Sequence, residues 1–152
     1  MDLADLIAPE AVYPSLKAKT KKQVLQELAQ KAAALTRIDA REIFDTLMQR
    51  EHLGSTGVGR GIAIPHGRLA PLKRIVSVFA RLDEPIDFEA LDNEPVDLIF
   101  LLLAPEQAGA DHLKALARIS RFFRDVTFRQ RLAEGESLED VVGAIEEEDA
   151  KL

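Results

Sequence analysis

The stretch that decides the fold is Val96-Asp-Leu-Ile-Phe-Leu-Leu-Leu103, which contains a single polar residue. A strand that is apolar along nearly its whole length is buried on both faces, so this run predicts the central strand of a covered sheet. The preceding segment Arg74 to Leu82 alternates only weakly and predicts a second strand that also meets other layers on both faces. Pro85 and Pro95 bracket the predicted loop between the two strands.

Helical patterns lie on both sides of this strand-rich middle. Capping-box spacing, a polar residue followed three positions later by Gln or Glu, marks the starts of the first two helices. The predicted helices run from Thr20 to about Leu35, from Asp39 to about Glu51, from about Asp111 through Arg124, from Phe128 to Ala133, and from Ser137, paired with Asp140, onward. This order predicts an α/β fold: a single-domain sandwich with a central mixed β-sheet flanked by helices. It is not a strict βαβ alternation, so we do not expect a doubly wound sheet.

The amino-acid composition excludes several classes of function. The chain has 152 residues, of which 47% are hydrophobic and 30% charged, as in a single globular domain. With 26 acidic and 20 basic residues the net charge is −6, which argues against binding nucleic acid. Cysteine is absent, so thiol nucleophiles and thiolate metal sites are excluded. We expect a soluble cytoplasmic protein without a secretory signal or membrane insertion, with a domain over residues 1–145 and an acidic tail over 146–152.

A glycine-rich stretch, Gly54-Ser-Thr-Gly-Val-Gly-Arg-Gly61, follows the second helix. It lacks the lysine and hydroxyl residue of a nucleotide-binding loop, and its glycines are wrongly spaced for a dinucleotide fingerprint. Two interpretations remain. Its exposed N–H groups could cradle an anion, with Ser55 and Thr56 hydrogen-bonding the loop or its ligand. Alternatively, it is a plain helix-to-strand connection that needs positive φ.

His66 is the first candidate for chemistry. In an extended chain Ile62, Ile64 and His66 share one face, so the imidazole lies at the end of a buried strand. Pro65 stiffens the approach, and Gly67 leaves room beside the ring. A neutral imidazole is a good nucleophile near neutral pH, because its ordinary pKa is about 6.5. The alternative is a structural histidine hydrogen-bonded in a turn.

Arg50 and His112 each lie on the predicted inward face of a helix, close to one of its ends. At 100° per residue, Arg50 lies about 20° from Ile43 and continues the inward stripe of the second helix. An inward arginine needs an anionic partner, unless it merely complements the helix C-terminus. His112 heads the apolar stripe of the third helix, in a first turn whose free N–H groups favour an anion, unless it is a hydrogen-bonded histidine at the edge of the core. Beside the glycine-rich loop, Arg50, His66 and His112 together predict a pocket for a transferable phosphoryl group.

Other catalytic sites fit less well. His52, His66 and His112 have no short ligand spacing and no nearby carboxylate motif, so zinc is disfavoured and we expect no metal. The nucleophile elbow G-x-S-x-G of serine hydrolases is absent. The acidic pairs, including Asp83-Glu84, are typical of a solvated surface and do not indicate glycosidase carboxylates.

The segment Arg50-Glu-His-Leu-Gly-Ser-Thr-Gly-Val-Gly-Arg-Gly-Ile-Ala-Ile-Pro-His-Gly-Arg68 resembles the signature of enzyme IIA of the bacterial phosphoenolpyruvate phosphotransferase system, mannitol/fructose type. The later segments PVDLIFLLLAP and DHLKALARIS resemble the same family in order and spacing. The resemblance implies that His66 accepts a phosphoryl group from the phosphohistidine of a small carrier protein. It further implies that Arg50 stabilises that group and that His112 is the second active-site histidine, with no cofactor. Ser55, Thr56 and Gly67 are candidates for a phosphoryl-binding loop.

Within this family the chain most resembles the nitrogen-regulatory branch, whose members bind target proteins according to their phosphorylation state. The expected donor is a histidine phosphocarrier protein of the HPr or NPr type. Two alternatives stay open. One is a sugar-specific fructose or mannitol enzyme IIA that passes phosphate to an enzyme IIB. The other is a regulatory module that binds partners and transfers nothing onward.

Overall fold

The apolar run from Val96 forms the central strand of a six-stranded sheet. The structure, a computed structural model, describes residues 11–123, 125–134 and 143. Along the chain, its elements are β1 (Val12–Leu16), α1 (Lys21–Thr36), α2 (Ala40–His52), β2 (Gly57–Gly59), β3 (Ile62–Ala63), β4 (His66–Leu69), β5 (Val76–Ile86), β6 (Val96–Pro105), α3 (Ala110–Phe122) and α4 (Val126–Glu134). None of the helices within these ranges is long and apolar enough to cross a membrane.

The sheet is mixed, as predicted. Its order is β1-β5-β6-β3-β2, and β4 continues along β6 beyond β3. Strands β3 and β4 run parallel to β6, whereas β5 runs antiparallel to it. The pairs Ile62 with Leu98 and His66 with Leu102 belong to one register, so β3 and β4 act as one strand interrupted around Pro65. The predicted end of this strand at His66 is therefore wrong, because pairing resumes there and continues to Leu69.

Strand β6 is covered on both faces, as its apolar sequence predicts. Its alternate side chains belong to two separate apolar clusters. Ile99, Leu101 and Leu103 pack in the cluster that includes the inward faces of α1 and α2. Leu98, Phe100 and Leu102 pack in the cluster formed with α3 and α4. The molecule is thus an α/β sandwich, with α1 and α2 on one face of the sheet and α3 and α4 on the other.

The predicted starts of the first two helices are confirmed, although the capping bonds differ in detail, whereas α4 begins two residues before the predicted Phe128. Thr20 Oγ1 accepts from the backbone N–H of Gln23 at 3.1 Å, as a capping residue should. The Gln23 side chain reaches back one residue further than expected, because it accepts from Lys19 N at 2.8 Å. Asp39 stands at the N-cap of α2, but its side chain makes no capping hydrogen bond.

Three strand predictions need correction. Strand β5 continues to Ile86 through Pro85, past an irregularity in its pairing with β6 that follows Arg81. Strand β1 was not predicted, because Pro14 breaks its short pattern; proline is tolerated there because β1 is an edge strand. Strand β6 runs on to Pro105, two residues beyond the predicted end. The third helix ends at Phe122, two residues before the predicted end at Arg124. The predicted helix at Ser137 and the boundary between 145 and 146 lie outside the described residues.

Candidate active site

His66 begins β4 and is partly exposed at the edge of the sheet. Its Nδ1 lies 2.8 Å from the carbonyl oxygen of Ile64, and its Nε2 accepts a hydrogen bond from Arg50 Nε at 3.1 Å. A carbonyl oxygen can only accept and a guanidinium can only donate, so the ring proton resides on Nδ1 and Nε2 carries the lone pair. Nε2 is therefore the nucleophilic atom of this histidine.

Arg50 lies in the last turn of α2 and turns inward, as its position on the helix predicts. Its guanidinium donates from Nη1 to the carbonyl oxygen of Gly54 at 2.8 Å, while Nε faces His66. These two bonds fix the plane of the group beside the nucleophilic nitrogen. A guanidinium held in this way presents further N–H donors to any anion that approaches His66.

His112 approaches His66 from the face of the sheet opposite to the one that carries Arg50. It lies in the first turn of α3 and is 4% exposed. Its ring centre is 5.6 Å from that of His66, with the two planes at 76°. Within the described part of the chain, its Nδ1 is buried and has no hydrogen-bond partner. The structure thus brings together the three residues that the sequence had placed on three different elements.

Both histidines are held neutral. Burial lowers the pKa of His66 below its ordinary value of 6.5; the Ile64 carbonyl opposes this shift and the Arg50 charge adds to it. Burial also lowers the pKa of His112, with smaller contributions from His66 and from the Arg68 guanidinium. Both shifts favour the uncharged rings at neutral pH, which keeps Nε2 of His66 unprotonated.

Ser55 and Thr56 use their polar groups within the protein. Ser55 Oγ donates to the carbonyl of Phe88 at 2.9 Å and accepts from Gly57 N at 3.0 Å. Thr56 is 3% exposed, and both its hydroxyl and its N–H donate to the carboxylate of Glu51. The hydroxyl groups therefore shape the loop, and the predicted contact of these two residues with a phosphoryl group stays a prediction.

Gly67 serves close packing between α2 and β4. A Cβ at this position would lie 2.7 Å from Thr46 Cγ2, nearer than real side chains approach. The space beside the imidazole that the sequence suggested is thus already filled by the methyl group of Thr46. The absence of a side chain at Gly67 lets α2 sit close to β4, and this closeness brings Arg50 within reach of His66.

A paired substitution tests this packing. We expect Gly67→Ala to lower the free energy of unfolding by about 1–3 kcal/mol, the usual cost of forcing extra atoms into a packed site. Thr46→Ser removes the opposing methyl group and keeps the hydroxyl that donates to the Glu42 carbonyl at 2.9 Å. Combined with Gly67→Ala, it should restore most of the lost stability in denaturant unfolding. No recovery in the double variant would contradict the assigned contact.

The sequence interpretation missed two residues near the site. The sequence pattern indicates Glu51 only as the end of the second helix and assigns no role to Lys21. In the structure they form a largely buried ion pair, with 2.6 Å between Lys21 Nζ and Glu51 Oε2. The available signal was a lysine at the first position of a helix, where the helix dipole disfavours a positive charge.

Residues 5–148 match the family described as "Phosphoenolpyruvate-dependent sugar phosphotransferase system, EIIA 2". A "Nitrogen regulatory protein" of Bradyrhizobium diazoefficiens is 61% identical over 132 residues, covering 87% of this chain and 86% of the relative. A "PTS system fructose-specific EIIA component" of Haloferax volcanii is 36% identical, covering 97% and 98%. The crystal structure of nitrogen regulatory protein IIA-Ntr from Neisseria meningitidis matches with a TM-score of 0.89 at 34% identity, covering 94% of this chain and 98% of that one.

Proposed function

The chain belongs to the EIIA 2 family of the phosphoenolpyruvate-dependent phosphotransferase system, and from that membership we propose that it is a phosphocarrier of the nitrogen-regulatory branch. It accepts a phosphoryl group on His66 from the phosphohistidine of a histidine phosphocarrier protein of the HPr or NPr type. Its phosphorylation state then controls which target proteins it binds. The 61% identity to a nitrogen regulatory protein supports this branch over the sugar-specific one.

The observation that carries the proposal is the state of the His66 ring. The residue is partly exposed, Nε2 is unprotonated, and Nδ1 donates its proton to the Ile64 carbonyl. In the transfer, Nε2 attacks the donor phosphorus in line; the new P–N bond forms as the donor's P–N bond breaks. The His66 ring gains positive charge, and the Ile64 carbonyl stabilises it without taking the proton. The donor's ring leaves as a neutral imidazole.

Arg50 and His112 stabilise the transferring group. In the unphosphorylated protein, Arg50 Nε occupies the direction along which phosphorus must arrive at Nε2. The guanidinium therefore moves its donors from Nε2 to the phosphoryl oxygens as the bond forms, while its charge stays beside them. His112 supplies a buried nitrogen that gains a hydrogen-bond partner when the phosphoryl group arrives. No metal ion or other cofactor is needed, since the group passes between two histidines of similar energy.

Exposed apolar side chains flank the site and form the proposed contact surface for the donor. Leu53 follows α2 three residues after Arg50 and is 85% exposed, and Leu113 follows His112 and is 64% exposed. Large apolar side chains left in water beside a reactive group are typical of a protein-binding surface. The net charge of −6 favours a basic carrier.

Phosphoenolpyruvate-dependent labelling tests the proposal. The protein is incubated with phosphoenolpyruvate, enzyme I and a histidine phosphocarrier protein, in the general and nitrogen-regulatory forms separately. We expect intact mass to rise by one phosphoryl group, which acid removes and alkali does not. Absence of labelling with both donors on folded protein would contradict the phosphocarrier function and leave the non-transferring regulatory module.

The labelled protein also distinguishes the two branches. The 36% identity to a fructose-specific EIIA component supports a second candidate function, in which the chain passes its phosphoryl group to an enzyme IIB. Rapid loss of the label to fructose- or mannitol-type enzyme IIB would support that sugar-specific role. Retention of the label in the presence of these acceptors supports the regulatory branch.

A further inference from the structure

Behind the histidine pair, a buried ion pair joins the end of α2 to the start of α1. Glu51 follows Arg50 in the chain, but its side chain points into the protein and is 4% exposed. One carboxylate oxygen lies 2.6 Å from Lys21 Nζ, and the carboxylate also accepts from the N–H and the hydroxyl of Thr56. The Lys21 ammonium lies 4.9 Å from the centre of the Phe88 ring. Both oxygens of Glu51 are thus engaged within the protein.

The Lys21–Glu51 ion pair is not the arrangement that would best stabilise the start of α1. Lys21 is the first residue of α1, where the helix dipole favours an acidic residue, and the first turn contains none. A buried carboxylate such as that of Glu51 must be paired, and replacing such a pair with apolar residues is often neutral or stabilising. Conflicts of this kind are expected where a sequence serves function as well as folding. The pair therefore calls for a functional explanation.

The explanation lies in the loop that the carboxylate holds. Glu51 binds the loop through Thr56 and, at its backbone carbonyl, through Gly54 N at 3.1 Å. The Gly54 carbonyl lies in the chain between these two hydrogen-bonded positions, and it accepts from Arg50 Nη1 at 2.8 Å. This carbonyl is one of the two contacts that fix the guanidinium, and the other is His66 Nε2. The position of the loop therefore sets the orientation of Arg50.

We infer that Lys21, Glu51 and Thr56 are positioning residues for phosphoryl transfer: they hold the Gly54 carbonyl where it aligns the Arg50 guanidinium with His66. The inference rests on the proposed function, in which Arg50 stabilises the transferring group. None of the three side chains is hydrogen-bonded to His66, so they position the site through Arg50; the Glu51 charge in addition raises the pKa of His66, as a smaller effect than burial. Loss of the carboxylate charge would release the loop and let the guanidinium leave its position.

A double-mutant cycle measures this dependence. Glu51→Gln keeps the shape of the side chain and removes its charge, whereas Thr56→Val removes only the hydroxyl. Because displacing a catalytic group by about 1 Å can cost 10²-fold in rate, we expect Glu51→Gln to slow phosphorylation by about that factor and Thr56→Val by less. In an Arg50→Ala background, both substitutions should change the rate little further, because the group that they position is gone.

Matched variants separate positioning from stability. Val24→Ala truncates a fully buried core residue on α1, three positions after Lys21, and leaves the ion pair intact. At equal loss of stability in denaturant unfolding, its phosphorylation rate should stay at the wild-type value. Lys21→Arg keeps the charge and should retain most of the rate that Lys21→Met loses. The inference would be overturned if Val24→Ala and Glu51→Gln slowed phosphorylation equally. It would also be overturned if Glu51→Gln slowed phosphorylation as much in the Arg50→Ala background as in the wild-type protein.

A second measurement does not depend on transfer. In the unphosphorylated protein, the Nε–H of Arg50 is held by His66 and should give a slowly exchanging signal in ¹H–¹⁵N NMR spectra. We expect this signal to be lost in Glu51→Gln and kept in Val24→Ala; its persistence in Glu51→Gln would contradict the inference. Failure of the wild-type protein to accept a phosphoryl group would instead overturn the proposed function, and this signal would still test the positioning.

Discussion

His66→Ala is expected to accept no phosphoryl group from any donor that labels the wild-type protein. His66 is the partly exposed histidine of the pair, and its Nε2 carries a lone pair directed away from the Ile64 carbonyl. His112 cannot replace it, because this residue is only 4% exposed, with its ring edge-on to that of His66 at 5.6 Å. The expected effect is therefore complete loss. Intact mass after incubation with phosphoenolpyruvate, enzyme I and the carrier protein measures it.

His52→Ala is the matched control for this loss. It makes the same change at an exposed histidine at the end of α2, outside the histidine pair, and should be labelled at the wild-type rate. Removing His66 breaks two hydrogen bonds, so we expect His66→Ala to lose only about 1–3 kcal/mol of unfolding free energy and to stay folded. Full labelling of folded His66→Ala would rule out His66 as the phosphoryl acceptor.

The parts of the fold that could be predicted from the sequence are those governed by hydrophobic periodicity. The apolar run of β6 predicts a strand buried on both faces, and the two clusters that its side chains enter confirm this. The stripes on the second and third helices place Arg50 and His112 on inward faces, where the structure has them. Periodicity succeeds here because these residues are in long regular elements, whose side-chain directions follow from geometry alone.

What could not be predicted depends on contacts between distant segments. β1 forms only because β5 offers it a partner, and nothing in its five residues signals this pairing. The role of Gly67 depends on Thr46, which is on another element, and the role of Thr56 depends on a carboxylate buried beneath the loop. Sequence spacing identifies residues that can do chemistry. It does not show which polar groups are buried away from a ligand. Thr56 is 3% exposed and bonded to Glu51, whereas the Arg50 guanidinium lies beside His66.

The neutral state of the two histidines also emerges only from the assembled site. Each ring loses water on burial, which lowers its pKa, and for His112 the nearby His66 and Arg68 add to the effect. The hydrogen bond to the Ile64 carbonyl opposes the shift at His66 and fixes the proton on Nδ1. A ring that is neutral and has a single assigned tautomer is ready to attack through Nε2 without a proton transfer beforehand.

Arg50→Ala is expected to slow phosphorylation by about 10²- to 10³-fold, the usual cost of removing one donor to a developing charge in a transition state. The protein should remain folded, because the guanidinium is bonded to one backbone carbonyl and to His66 and not to the apolar core. The phosphorylation rate of Arg50→Lys should fall between those of the wild type and Arg50→Ala. Lysine keeps the positive charge but lacks the planar set of N–H donors that can bind the Gly54 carbonyl and the phosphoryl group at the same time. Rapid-quench labelling at saturating donor separates this rate from donor binding.

Arg41→Ala is the control for charge and for helix position. Arg41 is on the same helix, and its exposed side chain pairs with Asp45 at 3.1 Å, a contact that contributes little to stability. We expect this variant to be labelled at the wild-type rate. A wild-type rate in Arg50→Ala as well would mean that the arginine only complements the end of α2. A slow rate in Arg50→Ala alone would show that the donors beside His66 Nε2, and not the net charge of the helix, accelerate the transfer.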